Sequence, residues 1–559
     1  MTASSSPLPD AKVGALAALP PEGIAGLRAC WRDDLLAGFL VALVALPLSL
    51  GIAMASGFPP IAGIVTAIVG GLLATFFGGA HLTIKGPAAG LIVIVLGAVS
   101  ELGGGVVGYR RALATIVVAG VLQLALARMR AGVLGDTFPS SVIHGMMAAV
   151  GVIIVSKQSY QVLGVPAPQG GPMALLAHLP ASVLRLNPQV AVIGLLCLAV
   201  LVLLPRLTWR WSKQLPPSLA AIAIGIGLGF FFDLRHPHHY MIGGHDFAAG
   251  PGSLLPLDAR LWSSLAFPDW SAITSGVSIK YVVMFALVGS IESLLSAKAV
   301  DGLDPWQRRA SLDRDLFAVG IGNIVAATLG GLPMISEIVR SSANVRAGAK
   351  TKWANFFHGL LLLTMVSTAP WLLRTIPTAA LAAVLVFTGV RLASPSEFSK
   401  TWRIGPEQAV IFMVTMVATL ATDLLVGVIL GILCKFALHL MGGMPIRNSF
   451  APSIRLERVN RSLTLHIGHA AVFSNYLTIQ RVLSRLRVAQ TVRVDFSQAH
   501  IVDHTVLEGL ERLSKDWEKT GRSLSIVGLE GHKRTSAHPY SMARRSVVRE
   551  PSTASTPAD

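Results

Sequence analysis

Four charged side chains stand in stretches that otherwise carry none. Lys85 is the only Asp, Glu, Lys or Arg between Leu35 and Ser100. Glu292 has no charged neighbour back to Lys280. Glu337 and Arg340 lie one helical turn apart. An ionisable group in an apolar stretch is costly, so each marks an ion path, a proton relay or a ligand's counter-charge. Arg340 carries a planar fork suited to an oxyanion. Glu292 and Glu337 can each hold a cation or a proton, with Ser296 one turn on from Glu292 along the same face. Lys85 and Glu337, of opposite sign, are expected to pair with each other. No nucleophile–base set and no metal-spacing cluster appears in the apolar part, so the chemistry is that of binding and moving ions, and not of an enzyme.

Two glycine- and proline-broken segments surround these residues. One runs from Gly78 to Gly90 and the other from Gly330 to Arg340. Each has a β-prone stretch before a short helix. Lys85 and Glu337 occupy the same offset after the Gly-Gly pairs Gly78-Gly79 and Gly330-Gly331. Matching broken segments in two halves of a chain point to the binding site of an inverted-repeat transporter. Irregular backbone is tolerated at membrane depth only where protein or a cavity satisfies it. Half-helix N-termini offer free N–H groups and a positive dipole end, which favour an anion. Gly86, Ala88, Ala89, Ser336 and Ser341 fall at these ends, with Lys85 and Arg340.

The elements that position them must be membrane helices. Of 559 residues, 53% are apolar and only 13% charged, against about 25% charged in soluble domains. That excludes a disordered chain, a disulfide scaffold and an ordinary cytosolic enzyme. Cys30, Cys197 and Cys434 lie far apart and suggest no disulfide framework. Leu35 to Ile84 is long enough for two crossings at roughly 20 residues each. Further apolar runs, with the two short pieces at 86–100 and 338–345, give about 14 spans, the last two bending at Asp423. With a cytoplasmic N-terminus, the clusters Arg128/Arg130, Arg206/Arg210/Lys213, Arg308/Arg309/Arg314, Arg346/Lys350/Lys352 and Arg391/Lys400/Arg403 fall inside. The net charge of +17 is therefore a topology signal and not a nucleic-acid signature. The domain plan is a loose N-terminal cytoplasmic tail (1–30), a membrane part (31–444), a small α/β domain (446–530) and a disordered tail (531–559).

Several stretches resemble the SulP sulfate-permease family of anion transporters. They are Pro47 to Pro60, Gly86-Pro87-Ala88-Ala89, Phe138-Pro139 with Val142-Ile143-His144-Gly145, Glu292-Ser293-Leu294-Leu295, and Arg340-Ser341-Ser342-Ala343-Asn344. The resemblance implies 14 spans in two inverted repeats of seven, core and gate domains, a homodimer in a bacterial-type inner membrane, and a cytoplasmic STAS domain. It places a small inorganic anion between the N-termini of spans three and ten. Ser49 and Ile52 of span one would wall the site, Arg340 would be its basic group, and Glu292 would be the coupling position for Na⁺ or H⁺. No other cofactor is implied. Residues 45–53 resemble the branch joined to carbonic anhydrases, which favours bicarbonate over sulfate and makes a carbonic anhydrase a possible partner.

The tail fits the STAS expectation. Ser462–Ile467, Val492–Phe496 and Leu524–Val527 read as strands, and 476–486 and 506–520 as helices. Thr505 stands where soluble relatives carry a phosphorylatable Ser, a regulatory position; Asp503 reads as a plain helix N-cap. His236, His238, His239 and His245 read as a solvated loop, and His144 as the satisfier of a core hydrogen bond. Two rival functions remain. A nucleobase or carboxylate transporter of the same fold would use Glu292 and Glu337. A membrane anion sensor would signal through the tail domain.

Overall fold

The computed structural model describes residues 19–133, 139–207, 216–242, 244–256, 265–422, 424–442, 444, 451–459, 462–486, 491–518 and 521–545. Residues 1–18 and 546–559 of the expected tails, with Phe138, Arg210, Lys213 and Asp423, lie outside them. The chain opens with α1 (Gly23–Ala55), α2 (Pro60–Leu72), strand β1 (Ile84–Pro87), α3 (Ile92–Glu101) and α4 (Gly105–Arg128). Next come α5 (Ser140–Leu163), α6 (Pro188–Leu203), α7 (Pro217–Phe231) and the hairpin β2 (His238–Ile242) with β3 (His245–Ala249). The series continues through α8 (Gly276–Asp301), α9 (Leu312–Thr328), β4 (Met334–Glu337), α10 (Ile338–Arg346), α11 (Trp353–Thr368), α12 (Thr378–Leu392), α13 (Pro406–Ala421) and α14 (Leu424–Met441).

Among the described residues, eight helices are long and apolar enough to cross a membrane, as a multi-pass membrane protein requires. Proline sets several helix starts. Pro60, Pro188, Pro217 and Pro406 each occupy the first helical position, where the missing N–H costs nothing.

Two compact units result. The first holds residues 1–89, 98–129 and 256–374; the second holds 90–97, 130–255 and 375–559. In the first, α1 packs on α2 and α11, and α4 lies along α9. Bare glycines permit these approaches: a Cβ on Gly71 would sit 2.5 Å from the Cα of Gly359. At its centre, β1 pairs antiparallel with β4, joining residues more than 240 positions apart.

In the second unit, α5 packs on α12 and α13. The C-terminal domain is a seven-stranded sheet. Its strands are β5 (Ser453–Val459), β6 (Ser462–Ala471), β7 (Thr491–Asp495), β8 (Ala499–Val502), β9 (Ser523–Val527), β10 (His532–Arg534) and β11 (Ala543–Arg545). Helix α15 (Phe473–Arg485) links β6 to its parallel neighbour β7, and α16 (His504–Glu518) runs from β8 to β9. Strands β10 and β11 fall in the segment expected to be a disordered tail. β11 pairs with β8, so sheet structure extends to Arg545. Three-residue strands carry too little alternation to be read from sequence.

Candidate functional site

The site is built on the β1–β4 pair. Ile84 stands opposite Glu337, Lys85 opposite Ser336, Gly86 opposite Ile335 and Pro87 opposite Met334. Side chains satisfy the outer edges of this short ribbon. Asn323 accepts from the Met334 N–H at 2.5 Å and donates to its carbonyl at 3.2 Å. Ser293 accepts from the Ser336 N–H at 3.0 Å, and Asn355 accepts from the Lys85 N–H at 3.2 Å. The Ser341 hydroxyl accepts from the Ile84 N–H at 2.8 Å and donates to the Glu337 carbonyl. Backbone groups that would be orphaned at membrane depth are thus paired, and Ser341, expected at an anion, braces the ribbon.

Lys85 does not pair with Glu337. Its ammonium lies 2.7 Å from Asp315 of α9 and 3.1 Å from the Thr83 hydroxyl. The other Asp315 oxygen accepts from Ser336 Oγ at 2.8 Å. Cross-strand register explains the correction: Lys85 faces Ser336, one position from Glu337, and neighbouring strand positions point to opposite faces. Lys85 and Ser336, both expected at the anion, are committed to a buried Lys–Asp–Ser set. Asp315, in the first turn of its helix, also meets the positive end of that helix dipole.

On the other face lies Arg340. It is fully buried, and Glu337 is its ionic partner, with Nε 3.5 Å from the carboxylate. None of its three guanidinium nitrogens has a hydrogen-bond partner. The Ala89 N–H, at the start of the first half-helix, donates to the Glu337 carboxylate. Gly86 permits the arrangement: a Cβ there would fall 2.2 Å from Arg340 Nη1. An arginine fork with unmet donors, beside the amide of a helix start, has the chemistry by which proteins in general hold oxyanions.

The remaining predicted residues fall on the neighbouring elements of the same unit. Ser49 and Ile52 are buried on α1, which packs against α10. The Ser49 hydroxyl has no hydrogen-bond partner. Ala88 is buried and Ala89 half-buried; the Ala88 N–H donates to the Pro333 carbonyl at 3.3 Å. Glu292 and Ser296 are buried on α8, which packs against β4 and α10.

Sequence reasoning missed Asn323, which braces β4, and three further contributors. Asp315 was hidden in the polar run Leu312-Asp313-Arg314-Asp315, which reads as an interfacial loop. Asn355 and His358 of α11 are buried polar residues in an apolar helix, and their i, i+3 spacing could have been read as one inward face. Neither ring nitrogen of His358 has a hydrogen-bond partner.

Thr505 is buried, and its hydroxyl accepts from Lys435 of α14 at 2.8 Å. Asp503 sits just before α16, but its carboxylate pairs with Lys435 at 2.7 Å and approaches His439 at 3.6 Å instead of capping the helix. Lys435 and His439 hold it well below the usual carboxylate range despite burial. His144, expected in a core hydrogen bond, is exposed and lies 3.6 Å from Glu397. His236 and His239 make exposed contacts with Asp233 and Asp246.

The sulfate permease family profile matches residues 31–415, well over half of the chain. The chain belongs to the sulfate permease family. The bicarbonate transporter BicA of Synechocystis is 25% identical, over 89% of this chain and 88% of its own length. BicA of Picosynechococcus is 26% identical over 72% of this chain and 69% of its own length. The sodium-independent sulfate anion transporter of Bos taurus is 23% identical over 91% and 90%. Among solved structures, the transmembrane domain of a cyanobacterial BicA superposes with a TM-score of 0.61 at 23% identity, covering 72% of this chain and 97% of that one. The structure of SLC26A9 gives 0.63 at 16% identity, covering 90% and 85%. The sulfate permease fold is therefore shared.

Proposed function

We propose that this sulfate permease family member is a secondary-active transporter of small inorganic oxyanions, bicarbonate or sulfate, working by alternating access. Buried Arg340, with three unmet donor nitrogens, carries the reading. An oxyanion accepts from the fork and from the half-helix start at Ala89, and the unpartnered Ser49 hydroxyl of α1 is a further candidate donor.

Glu337 holds the place of that anion. Its carboxylate now engages both Arg340 and the Ala89 N–H, the two groups an oxyanion needs. Protonating Glu337 would neutralise it and release both donors, so proton and anion would bind together. Glu292 and Ser296 on α8 offer a second cation position. One cation per monoanion offsets the opposing membrane potential, about 2.3 kcal/mol per charge per 100 mV. Substrate and coupling ion are linked by chemistry. A proton moved with bicarbonate amounts to moving carbonic acid, so proton coupling suits sulfate and sodium coupling suits bicarbonate. Glu337 engaged with arginine also disfavours the nucleobase reading, which needs that carboxylate for a neutral ring.

The family fold supports a homodimer, an inner-membrane location with cytoplasmic termini, and a STAS-type role for the C-terminal sheet domain. Radiolabelled sulfate and bicarbonate uptake into proteoliposomes, under imposed Na⁺ or pH gradients, tests the proposal. Arg340→Ala abolishes uptake of the true substrate. Glu337→Gln keeps anion exchange but loses stimulation by a proton gradient. Unchanged uptake in Arg340→Ala would refute the site.

A further inference from the structure

A cavity lies away from Arg340, in the same unit. It measures about 210 Å³, opens to the surface, and is lined by residues 21–23, the loop 78–81, residues 308, 309, 311 and 314, and residues 351–352. Arg308, Arg309, Arg314 and Lys352 line it, with His81, against a single carboxylate, Glu22. That carboxylate is largely in solvent, with its side chain 78% exposed.

The cations are incompletely compensated. Arg308 is nine-tenths buried, and its Nε meets Asp304 at 2.8 Å. Its Nη2 is buried without a hydrogen-bond partner. The Nε of Arg314 donates to a backbone carbonyl, that of Phe77, at 3.3 Å. Burial, then the Arg314 charge, lowers the ammonium pKa of Lys352; burial, then Arg308, does the same to His81. Like charges gathered round one space raise its affinity for an anion.

The wall is backbone. A Cβ on Gly79 would lie 2.2 Å from the Ser311 carbonyl, so the loop can press close only as glycine. Behind Gly78 stand Lys85 Nζ and Asp315, 3.6 and 3.7 Å from where a Cβ would be. An anion in the cavity would therefore sit directly behind the ion pair that braces β1.

We propose that this cavity binds a phosphate group: a tetrahedral dianion, supplied as free inorganic phosphate or as the phosphomonoester headgroup of a lipid. Asp304 is held on Arg308 and Asp301 lies near Arg309, and the positive excess left by Arg314 and Lys352 at the lining favours an anion. At about 210 Å³ the cavity has room for a phosphate group. Arginine forks match phosphate oxygens two at a time. The proposal does not depend on which anion is transported, because the test reads binding.

Full-length protein in phosphatidylcholine nanodiscs is titrated with ³²P-labelled inorganic phosphate. The expected result is one saturable site, weakened at least tenfold by Arg309→Gln with Arg314→Gln and left intact by Arg340→Ala. Both arginines are exposed, so the double variant should fold; Lys352→Gln is a milder second variant. In a parallel arm the nanodiscs carry phosphatidic acid. If lipid supplies the group, phosphatidic acid displaces the labelled phosphate and raises the melting temperature of the wild type but not of the double variant. Absence of saturable binding of both probes would overturn the proposal. So would binding that ignores Arg309 and Arg314, or binding lost in Arg340→Ala alone. Failure of anion uptake would touch only the transport reading.

Discussion

The buried Lys85–Asp315 pair and the buried Arg340 do different work. The Lys85 ammonium has an ionic and a hydroxyl partner, and its backbone N–H donates to the Asn355 side chain; Arg340 has a loose ion pair and unmet donors. Truncating one member of a buried pair strands the other charge, at a cost of about 3–5 kcal/mol. Lys85→Ala or Asp315→Ala should therefore lose folded protein by fluorescence-detected size exclusion. The double variant Lys85→Met with Asp315→Leu should recover most of it, because well-packed apolar replacements of a buried pair are often neutral. Gly86→Ala should behave oppositely. It keeps the fold but pushes the guanidinium from its seat, and sulfate or bicarbonate uptake should fall at least tenfold. The sequence made all four conspicuous charges visible because the spans are so bare of charge. It did not reveal their pairing. A one-position register decides which side of a ribbon a side chain takes, and Asp315 is camouflaged by Asp313 and Arg314 beside it.

At the scale of elements, the broken segments were legible because glycine and proline interrupt apolar runs at matching offsets. That the strands would pair with each other was not, since no local signal joins residue 84 to residue 337. The end of α14 offers another case. Lys435 is a buried cation in a membrane helix, and its partners, Asp503 and Thr505, belong to the sheet domain. The depressed Asp503 group fixes the sign of the pH dependence. Its contribution is present above the ordinary carboxylate pKa of about 4 and is lost only as pH falls through the lower folded value. Hydrogen exchange at residues 503–507, corrected for intrinsic rates, should stay equally protected from pH 8 to pH 5. Thr505→Glu should abolish that protection by setting a second carboxylate beside Asp503. Phosphorylation of Thr505 would require the Lys435 contact to open first, and phosphate-affinity gels of the intact protein should show an unmodified band.

At the scale of the whole molecule, the contiguous membrane part 31–444 does not fold as one contiguous piece. The unit that holds Arg340 draws on residues 1–89, 98–129 and 256–374, and the other unit takes what lies between and after. Composition marks a change in charge density near residue 445, which is where the sequence reading sets the sheet domain apart from the membrane part. It could not show this interleaving, since both units are equally apolar. The pairing of β1 with β4 also sets a timetable for synthesis. A ribosome adding about 5–20 residues per second reaches Glu337 on the order of 10–50 s after Ile84. Asp315 arrives only shortly before. Throughout that interval the newborn chain carries an unpaired lysine and an open strand edge within an apolar stretch. The first half of this protein is therefore a client for membrane insertion factors until its second half emerges.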